Sequence, residues 1–424
     1  MPAFDVYASF PIAGELDVRQ TATLIARYHY IEAQLMRVTA GKLAALPEWE
    51  AKCLLGRHLW QDALHANDFL DRLIDLRWPR KAPLHPGETI LRLMALLDEA
   101  PTTATFLAGV YRVIKPGLVA AYTLHLSHAA PLADEPTCIL LRQTFSVEQE
   151  HVREGAAMLE SLAGSYEREA TLAWQTRVEE LWTGVGVLGG LGEEGGREVV
   201  GHFEGQGIGP APVVAARDDR FRMADDGFGT ATLAPDEAVR HMAHRDADNE
   251  MHAAEVLGRN LYEHPEMPWE YQVDMARQCW DEVRHAVLYQ KYLEELSGRL
   301  GDYPVVPGNY AYRMALDFPH RLYDLHLRGE KLGMSDLIRM RKEARQTGDR
   351  SYALLNDYVH ADEVPHVKNG RWLKWLLHED EAAFRQVERE TMRIRADYAQ
   401  AHQDDPLLRA YTGLSPAILS KSEE

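Results

Sequence analysis

The sequence contains few cysteines. Three occur in 424 residues, Cys53, Cys138 and Cys279, and no two of them form a Cys-x-x-Cys pair. Such wide spacing fits neither a disulfide framework nor a structural zinc site, because both need several thiols in a recognisable spacing. We therefore expect a reducing, cytoplasmic setting.

Long apolar runs and positive charge are also scarce. No uninterrupted stretch of about 18 apolar residues occurs, and the N-terminus shows no basic region ahead of an apolar one. Neither secretion nor membrane spanning is expected. The 46 basic residues face 65 acidic ones, which gives a formal net charge of -19. Because this charge repels phosphate backbones and anionic lipids, we expect no nucleic-acid and no membrane partner.

Helix-forming residues dominate two long segments, from about 17 to 183 and from about 236 to 403. Both are rich in Ala, Leu, Arg and Glu, with apolar residues three and four positions apart. Residues 184–229 between them are dense in glycine and lack a nucleotide-binding glycine pattern. The sequence predicts an all-α protein with a helical bundle at 1–183, a Gly-rich linker or lid at 184–235 and a second bundle at 236–424.

A repeated pattern links the two helical segments. Trp49-Glu50 is followed by Trp60-Gln61-Asp62-Ala63-Leu64-His65-Ala66, and Trp269-Glu270 is followed by Trp280-Asp281-Glu282-Val283-Arg284-His285-Ala286. Both parts of the pattern align at one shift of 220 residues. Matching features at a fixed offset indicate a tandem duplication, so we predict two four-helix bundles in series.

Pairs of a carboxylate and a histidine three positions apart recur along the chain. Composition alone predicts about three Asp/Glu-x-x-His pairs, so the number observed decides little. Six are present: Asp62/His65, Glu148/His151, Glu282/His285, Asp317/His320, Asp357/His360 and Glu363/His366. This spacing places both side chains on one helical face, where they can bind a common pair of metal ions.

The second half supplies a complete set of such ligands in chain order. A two-metal site in a four-helix bundle uses one Glu from each of two helices and a Glu-x-x-His pair from each of the other two. The predicted ligands on four successive helices are Glu250, then Glu282 with His285, then Glu330, then Glu363 with His366. Glu255 is the alternative to Glu250 on the first helix. Carboxylate and imidazole ligands without thiolate favour two iron ions (Fe2+/Fe3+), with manganese as the alternative.

An aspartate directly precedes the glutamate of each of these two pairs. These residues are Asp281 on the second helix and Asp362 on the fourth. A metal-bound histidine usually donates its other ring N–H to a carboxylate, which fixes its tautomer and orientation. We expect Asp281 and Asp362 to have this role.

At these residues the sequence resembles known metalloproteins. Asp281-Glu282-Val283-Arg284-His285-Ala286 resembles the Asp-Glu-x-Arg-His segment of the ferritin-like di-iron carboxylate oxygenases, including the bacterial multicomponent monooxygenase type. Ala361-Asp362-Glu363-Val364-Pro365-His366-Val367 is similar to the last helix of an uncharacterised ferritin-like family with the pattern Asp-Glu-Val-Gly-His-Val. Pro365 replaces the Gly of that pattern. The resemblance extends over about 236–377 and implies a ferritin-like four-helix bundle that binds two irons.

The first half departs from this pattern. Its candidate ligands for the first, second and fourth helices are Glu32, Asp62 with His65, and Glu148 with His151. The interval of 33 residues from Glu330 to Glu363, applied backwards from Glu148, leads to Lys115. Val147 also replaces the expected aspartate. Because a cation stands where a ligand is needed, we predict that the N-terminal metal site is vestigial.

The resemblance implies an O2-dependent di-iron oxygenase or oxidase that acts on a small organic substrate. Hydroxylation, N-oxygenation, desaturation and oxidative cleavage all stay open, because side chains of the pocket determine the substrate and the fold does not. An external electron donor, a ferredoxin or a reductase, is expected, and the protein is expected to be a monomer or a homodimer. The alternatives are a ferroxidase or iron-handling protein and a non-catalytic ferritin-like scaffold.

Overall fold

The structure is a computed structural model, and it describes residues 11, 14–78, 86–164, 167–185, 209, 211–223, 233–305, 307–402 and 404–405. Regular structure in these residues is helical, apart from one isolated parallel bridge between Met223 and Val305. The all-α prediction is confirmed. Most of the segment predicted to be a linker or lid, at 186–208 and 224–232, lies outside the described residues.

The chain divides into two compact units. Unit 1 comprises Met1–Thr39 and Arg57–Gly209, and unit 2 comprises Ala40–Gly56 and Pro210–Glu424. The sequence analysis placed residues 40–56 with the N-terminal bundle, whereas the structure groups them with the C-terminal part of the chain.

Buried polar contacts explain why residues 40–56 belong to unit 2. Lys52 is fully buried, and its ammonium group donates to the carboxylate of Glu255 and, at 2.8 Å, to the carbonyl of Ala216. The indole N–H of Trp49 donates to Gln290 Oε1 at 2.8 Å. A buried ammonium group without such partners would cost several kcal/mol, so these contacts hold the segment in place.

Unit 1 contains a series of helices joined by short connections. They are α1 (Val18–Lys42) up to residue 39, α2 (Trp49–Asp75) from residue 57, α3 (Glu88–Asp98), α4 (Thr103–Ala108), π1 (Gly109–Ile114), α5 (Lys115–His128), α6 (Glu135–Ser161) and α7 (Arg168–Val185). α4, π1 and α5 form one unbroken helix, Thr103–His128. This helix is long and apolar enough to cross a membrane, but most of it is buried, as in the core helix of a folded unit.

A proline accounts for the π-helical turn inside this long helix. Pro116, the second residue of α5, has no N–H to donate to the carbonyl four residues earlier. The wider π turn ends immediately before α5 and accommodates this loss. Lys115 is therefore the first residue after a π turn.

Unit 2 contains a second series of helices. They are α8 (Pro235–Glu263), α9 (Trp269–Glu295), α10 (Gly308–Ala315), α11 (Phe318–Leu322), π2 (Tyr323–Gly329), α12 (Glu330–Thr347), α13 (Arg350–Lys368), α14 (Arg371–Leu376) and α15 (Glu381–Ala401). Asp317 separates α10 from α11, and its side chain caps α11 by accepting from the backbone N–H of His320.

A second π turn lies directly before α12. π2 ends at Gly329, so Glu330 is the first residue of the following α-helix. A side chain at position 329 would displace the guanidinium of Arg313, because a Cβ there would lie 2.8 Å from one of its nitrogens. π turns inside helices are often found at functional sites, since they change the register of the side chains that follow. In both units the π turn is followed at once by a charged side chain.

Candidate metal centre

α9 and α13 each place one carboxylate and one imidazole in the interior of unit 2. On α9, His285 Nδ1 lies 3.3 Å from Glu282 Oε2, and on α13, His366 Nδ1 lies 3.1 Å from Glu363 Oε2. Between the two helices, His366 Nδ1 lies 3.3 Å from Glu282 Oε1, and His285 Nδ1 lies 3.7 Å from Glu363 Oε1. All four residues are buried. The two Glu-x-x-His pairs therefore face one another across a common centre.

Two single glutamates complete this cluster. Glu250, on α8, approaches it with its Oε2 atom 4.0 Å from His285 Nδ1, and Glu330 reaches it from the start of α12. Two groups of residues each have ligand atoms within 4.8 Å of one another: Glu250, Glu282 and His285 in one, and Glu282, Glu330, Glu363 and His366 in the other. Because Glu282 belongs to both groups, the arrangement provides two adjacent cation positions with one shared carboxylate. All six residues predicted as metal ligands are brought together.

One buried nitrogen atom tests whether cations fit these positions. His285 Nδ1 is buried and has no hydrogen-bond partner in the described part of the chain, although three carboxylates surround it. An unsatisfied buried polar atom costs roughly 1–3 kcal/mol. Coordination of a metal ion by Nδ1 would remove this cost, so the donor set fits a pair of divalent metal ions.

The carboxylates of the cluster oppose one another electrostatically. Burial raises the pKa of Glu363, and the charges of Glu330 and Glu282 raise it further. Burial and the charge of Glu282 also raise the pKa of Glu250 and that of Glu330. Burial would raise the pKa of Glu282 as well, but the charge of His366, the contacts with His285 and the hydrogen bond from Gln278 together outweigh it and hold this pKa at about 2. Bound cations would allow all four carboxylates to ionise together.

The two aspartates hold the histidines in a crossed arrangement. His285 Nε2 lies 3.2 Å from Asp362 Oδ2 on α13, and His366 Nε2 lies 3.3 Å from Asp281 Oδ2 on α9. The guanidinium of Arg284 donates to both aspartates, at 2.6 Å to Asp281 Oδ1 and 2.8 Å to Asp362 Oδ2. Each histidine thus keeps Nδ1 directed at the carboxylates while its other nitrogen is held by the aspartate of the opposite helix.

These contacts change the proton affinity of both imidazoles. Burial alone would lower the pKa of His285, but the hydrogen bond with Asp362 and the negative charge of the nearby Glu282 carboxylate raise it to about 10. Burial also acts to lower the pKa of His366, whereas the charge of Glu282 and the hydrogen bond with Asp281 raise it to about 9. Both imidazoles therefore carry a positive charge that a metal ion would replace.

The sequence analysis did not identify Gln278, which lies one helical turn before Glu282. Its amide nitrogen donates to Glu282 Oε1 at 3.2 Å and to Glu330 Oε1 at 3.1 Å. Its amide oxygen accepts from Asn369 Nδ2 at 2.9 Å. Gln278 therefore positions two of the candidate ligands, one of them the shared carboxylate. The signal in the sequence is weak, because a glutamine four residues before a ligand is common on any helix.

Glu255, the alternative ligand on the first helix, lies in a different environment. Its carboxylate accepts from Lys52 and, at 2.6 Å, from Arg217 Nη1. Burial would raise the pKa of Glu255, but the charges of Arg217 and Lys52 lower it. Glu250 and not Glu255 therefore faces the cluster.

A cavity of about 430 Å³ reaches the cluster from one side. Three of the candidate ligands line it, Glu250, Glu330 and Glu363, together with charged side chains such as Arg245 and Arg339 and fewer apolar ones such as Val359. Pockets of about 300–1,000 Å³ are typical of small-molecule sites. The cavity therefore gives a small molecule access to the metal centre.

Unit 1 contains a related cluster that includes a lysine. Lys115 Nζ lies 2.8 Å from Asp62 Oδ1 and 2.8 Å from Glu148 Oε1, and all three side chains are buried. Burial would lower the pKa of Lys115, but the charges of Asp62 and Glu148 raise it well above its usual value. The structure thus places Lys115 where the 33-residue interval predicted it, at the third-helix position of the cluster.

The remaining N-terminal candidates lie around this lysine. His151 Nδ1 lies 3.3 Å from Glu148 Oε1, and His65 Nδ1 lies 3.4 Å from the same atom. Glu32 accepts from the Tyr122 hydroxyl at 2.8 Å. His151 Nε2 pairs with Gln61 Oε1 at 2.8 Å, and Gln61 is the residue that corresponds to Asp281 at the shift of 220 residues. All five residues predicted for a vestigial site are therefore close together.

The C-terminal part of the chain is similar to a known sequence family. Residues 209–418 match a family described as protein of unknown function (DUF455). All six candidate ligands lie within the matched range. No curated protein and no solved structure matches the chain.

Proposed function

We propose that unit 2 is a ferritin-like bundle that binds two iron ions, and that the protein is an O2-dependent oxidoreductase with a small organic substrate. The observation that carries this proposal is the pair of ligand groups that share Glu282. Their ligand atoms are carboxylate oxygens and imidazole nitrogens, a set that favours iron or manganese. Cys279 does not take part, because its thiol donates to the carbonyl of Ala254.

Each part of the cluster has a defined role in this proposal. One ion would be held by Glu250 and His285, the other by Glu330, Glu363 and His366, and Glu282 belongs to both ligand groups. Two such ions would supply the redox chemistry that activates O2 for attack on an organic compound. The Asp–His contacts fix both ring orientations, so the ligand atoms are in place before the ions bind.

The cavity supports an enzyme rather than a storage protein. It is large enough for a small organic molecule, and it opens directly onto three candidate ligands. A substrate bound there would lie beside both ions and exclude water from them. Hydroxylation, N-oxygenation, desaturation and oxidative cleavage all use this arrangement, and electrons would come from a ferredoxin or a reductase.

A shared origin of the two units is part of the proposal. Each has two carboxylate–histidine pairs on two helices, and each has a π turn directly before the third-helix position. The residue after the π turn is Lys115 in unit 1 and Glu330 in unit 2. A tandem duplication followed by this replacement accounts for both the similarity and the difference.

Metal analysis of the full chain tests the two-metal site. After anaerobic loading with Fe2+, the Glu363→Ala variant is expected to lose most of the iron bound in unit 2. Glu295→Ala is the matched control, because Glu295 is an exposed residue of α9 far along the helix from Glu282. Equal iron in both variants would contradict the assignment, and absence of iron from the unchanged protein would favour a scaffold.

Oxygen consumption then tests the activity. An oxygenase consumes O2 in an amount that depends on an added organic compound and a reductant. A ferroxidase consumes O2 when Fe2+ alone is added, over many turnovers. The second result, without any response to a panel of small organic compounds, would contradict the proposed oxygenase.

A further inference from the structure

The cluster in unit 1 retains one complete cation position. We propose that unit 1 binds one divalent metal ion next to the ammonium group of Lys115. Its ligands are the four buried side chains whose ligand atoms all lie within 4.8 Å of one another: Glu32, Asp62, His65 and Glu148. This site is independent of the two-metal site proposed for unit 2.

Lys115 fills only part of the cluster. Its ammonium group hydrogen-bonds Asp62 and Glu148, and among the described residues it makes no hydrogen bond to Glu32 or His65. In unit 2, the corresponding third-helix residue Glu330 belongs to one ligand group and is not in the other. The ammonium group of Lys115 therefore takes the place of one of two ions. The cation position beside the first helix of unit 1 stays available for a single ion.

Two buried atoms of these ligand side chains have no hydrogen-bond partner among the described residues. Glu32 is fully buried, and since its Oε1 accepts from Tyr122, its Oε2 is the atom without a described partner. His65 is 7% exposed, and among the described residues its Nδ1 has no hydrogen-bond partner although it lies 3.4 Å from Glu148 Oε1 and 3.7 Å from Glu32 Oε1. Leaving a buried polar atom unsatisfied is unfavourable. A metal ion bound to both atoms would remove this cost.

The charges of the ligand side chains agree with one ion in unit 1 and two ions in unit 2. In unit 2, the four carboxylates would carry four negative charges once all of them ionise around bound cations, and two divalent ions would neutralise these charges. In unit 1, three ionised carboxylates and the ammonium group of Lys115 would leave two negative charges with His65 neutral, which one divalent ion would neutralise. The ligand charge of each unit therefore matches the number of ions proposed for it.

The donor set indicates which ions bind. Three carboxylates and one imidazole, without thiolate, suit Mn2+ or Fe2+. The fixed ammonium group prevents a second ion from binding, because it occupies the adjacent carboxylate oxygens. Unit 1 would therefore hold a mononuclear site and not a two-metal site.

Metal content of the full-length protein tests this inference, with Mn2+ as the probe. Glu282→Ala removes the shared ligand of unit 2 and is the background for the measurement. This variant is expected to retain one tightly bound Mn2+ per chain, with the six-line electron paramagnetic resonance spectrum of an isolated ion. Adding Glu32→Gln or His65→Ala is expected to remove that ion, whereas His125→Ala, at a buried histidine of α5 outside the cluster, retains it.

The outcomes separate this inference from the proposed function. A Glu282→Ala variant that binds no Mn2+, or an ion that persists after both Glu32→Gln and His65→Ala, would overturn the unit 1 site. If the unchanged protein binds a single ion that Glu32→Gln removes, the unit 1 site stands and the two-metal site fails. Circular dichroism of each variant confirms that the helices are intact.

A charge reversal provides a second measurement. Lys115→Glu replaces the ammonium group with a carboxylate and gives unit 1 the same types of ligand as unit 2. In the Glu282→Ala background, this variant is expected to bind two Mn2+ ions in unit 1, with loss of the six-line spectrum as the two ions couple. A variant that folds and still binds no ion would contradict the proposed ligand set.

Discussion

Replacing Glu363 by glutamine should stabilise the protein without metal and destabilise it with metal. Glu363 is 5% exposed, and burial together with the charges of Glu330 and Glu282 raises its pKa far above the ordinary value of 4.5. The folded protein without metal therefore keeps this group protonated at neutral pH, whereas the unfolded chain ionises it. The glutamine side chain has nearly the same size and has no proton to lose.

The size of the effect follows from the difference between the pH of the experiment and the pKa of Glu363 in the unfolded chain. The pKa of Glu363 is higher in the folded state than in the unfolded state. Its ionisation therefore does not change the free energy of unfolding below pH 4.5, but above that pH it lowers the free energy of unfolding as the pH rises. Each pH unit above that value costs about 1.4 kcal/mol, so the penalty reaches about 3 kcal/mol at pH 7. In EDTA at pH 7, Glu363→Gln should therefore raise the free energy of unfolding by up to this amount, since neighbouring carboxylates share part of the proton uptake.

Metal binding should reverse the sign. A ligand present at 100 times its dissociation constant stabilises the folded state by about 2.7 kcal/mol, and the centre proposed for unit 2 would bind two ions. The Glu363→Gln variant lacks one charged ligand, so added Mn2+ should raise its free energy of unfolding much less. The order of stability of the two proteins should therefore differ between EDTA and Mn2+.

Urea unfolding followed by circular dichroism measures both effects. The experiment compares the unchanged protein, Glu363→Gln and the exposed control Glu295→Gln, each in EDTA and in Mn2+, at pH 7 and near pH 4.5. Near pH 4.5 the difference in EDTA should vanish. The reasoning is refuted if Glu363→Gln is the less stable protein in EDTA at pH 7, or if its advantage there does not depend on pH.

Two further predictions concern the residues around the centre. Asp281→Asn removes the carboxylate that holds His366 Nε2, so the affinity of unit 2 for Mn2+ should fall by roughly 10–100-fold, as measured by competition with a chelator, with the helix content unchanged. Glu255→Gln leaves the charges of Lys52 and Arg217 buried with less compensation, so the free energy of unfolding should fall by about 3–5 kcal/mol while metal content stays the same. Loss of metal from the second variant would show that Glu255 is a ligand after all.

Short-range periodicity explains why the paired ligands could be predicted. Residues three apart on a helix share a face, so Glu282 with His285 and Glu363 with His366 needed only a correct helix assignment. The assignment was secure, because long segments of strong helix formers carry the apolar spacing of bundle helices. The all-α class followed from the same signal.

Contacts between distant parts of the chain explain what the sequence could not decide. Glu250 and Glu255 are five residues apart on α8, and spacing alone cannot say which of them faces the centre. The choice depends on Lys52 and Arg217, which pair with Glu255 from segments far away in sequence. The grouping of residues 40–56 with unit 2 rests on the same long-range ion pairs.

The crossed contacts of the aspartates are a third case. The sequence predicted that Asp281 and Asp362 contact ring nitrogens of the histidines. It could not show that each aspartate contacts the histidine of the other helix. On one helix, residues four positions apart are neighbours, so spacing alone also allowed each aspartate to contact the histidine of its own pair. The packing of α13 against α9 decides for the crossed contacts. Arg284 then links the two aspartates.

Lys115 and Glu330 show how one position sets the number of ions that a bundle can hold. A lysine at the third-helix position supplies one positive charge that cannot dissociate, and it satisfies Asp62 and Glu148 without metal. A glutamate there adds a negative charge and creates a need for a second exchangeable ion. Because the O2 chemistry proposed for unit 2 uses both of its ions, this replacement would confine that chemistry to unit 2. Unit 1 would keep a single ion as a structural element of its buried cluster, and Lys115→Glu is the change that would bring the second ion back.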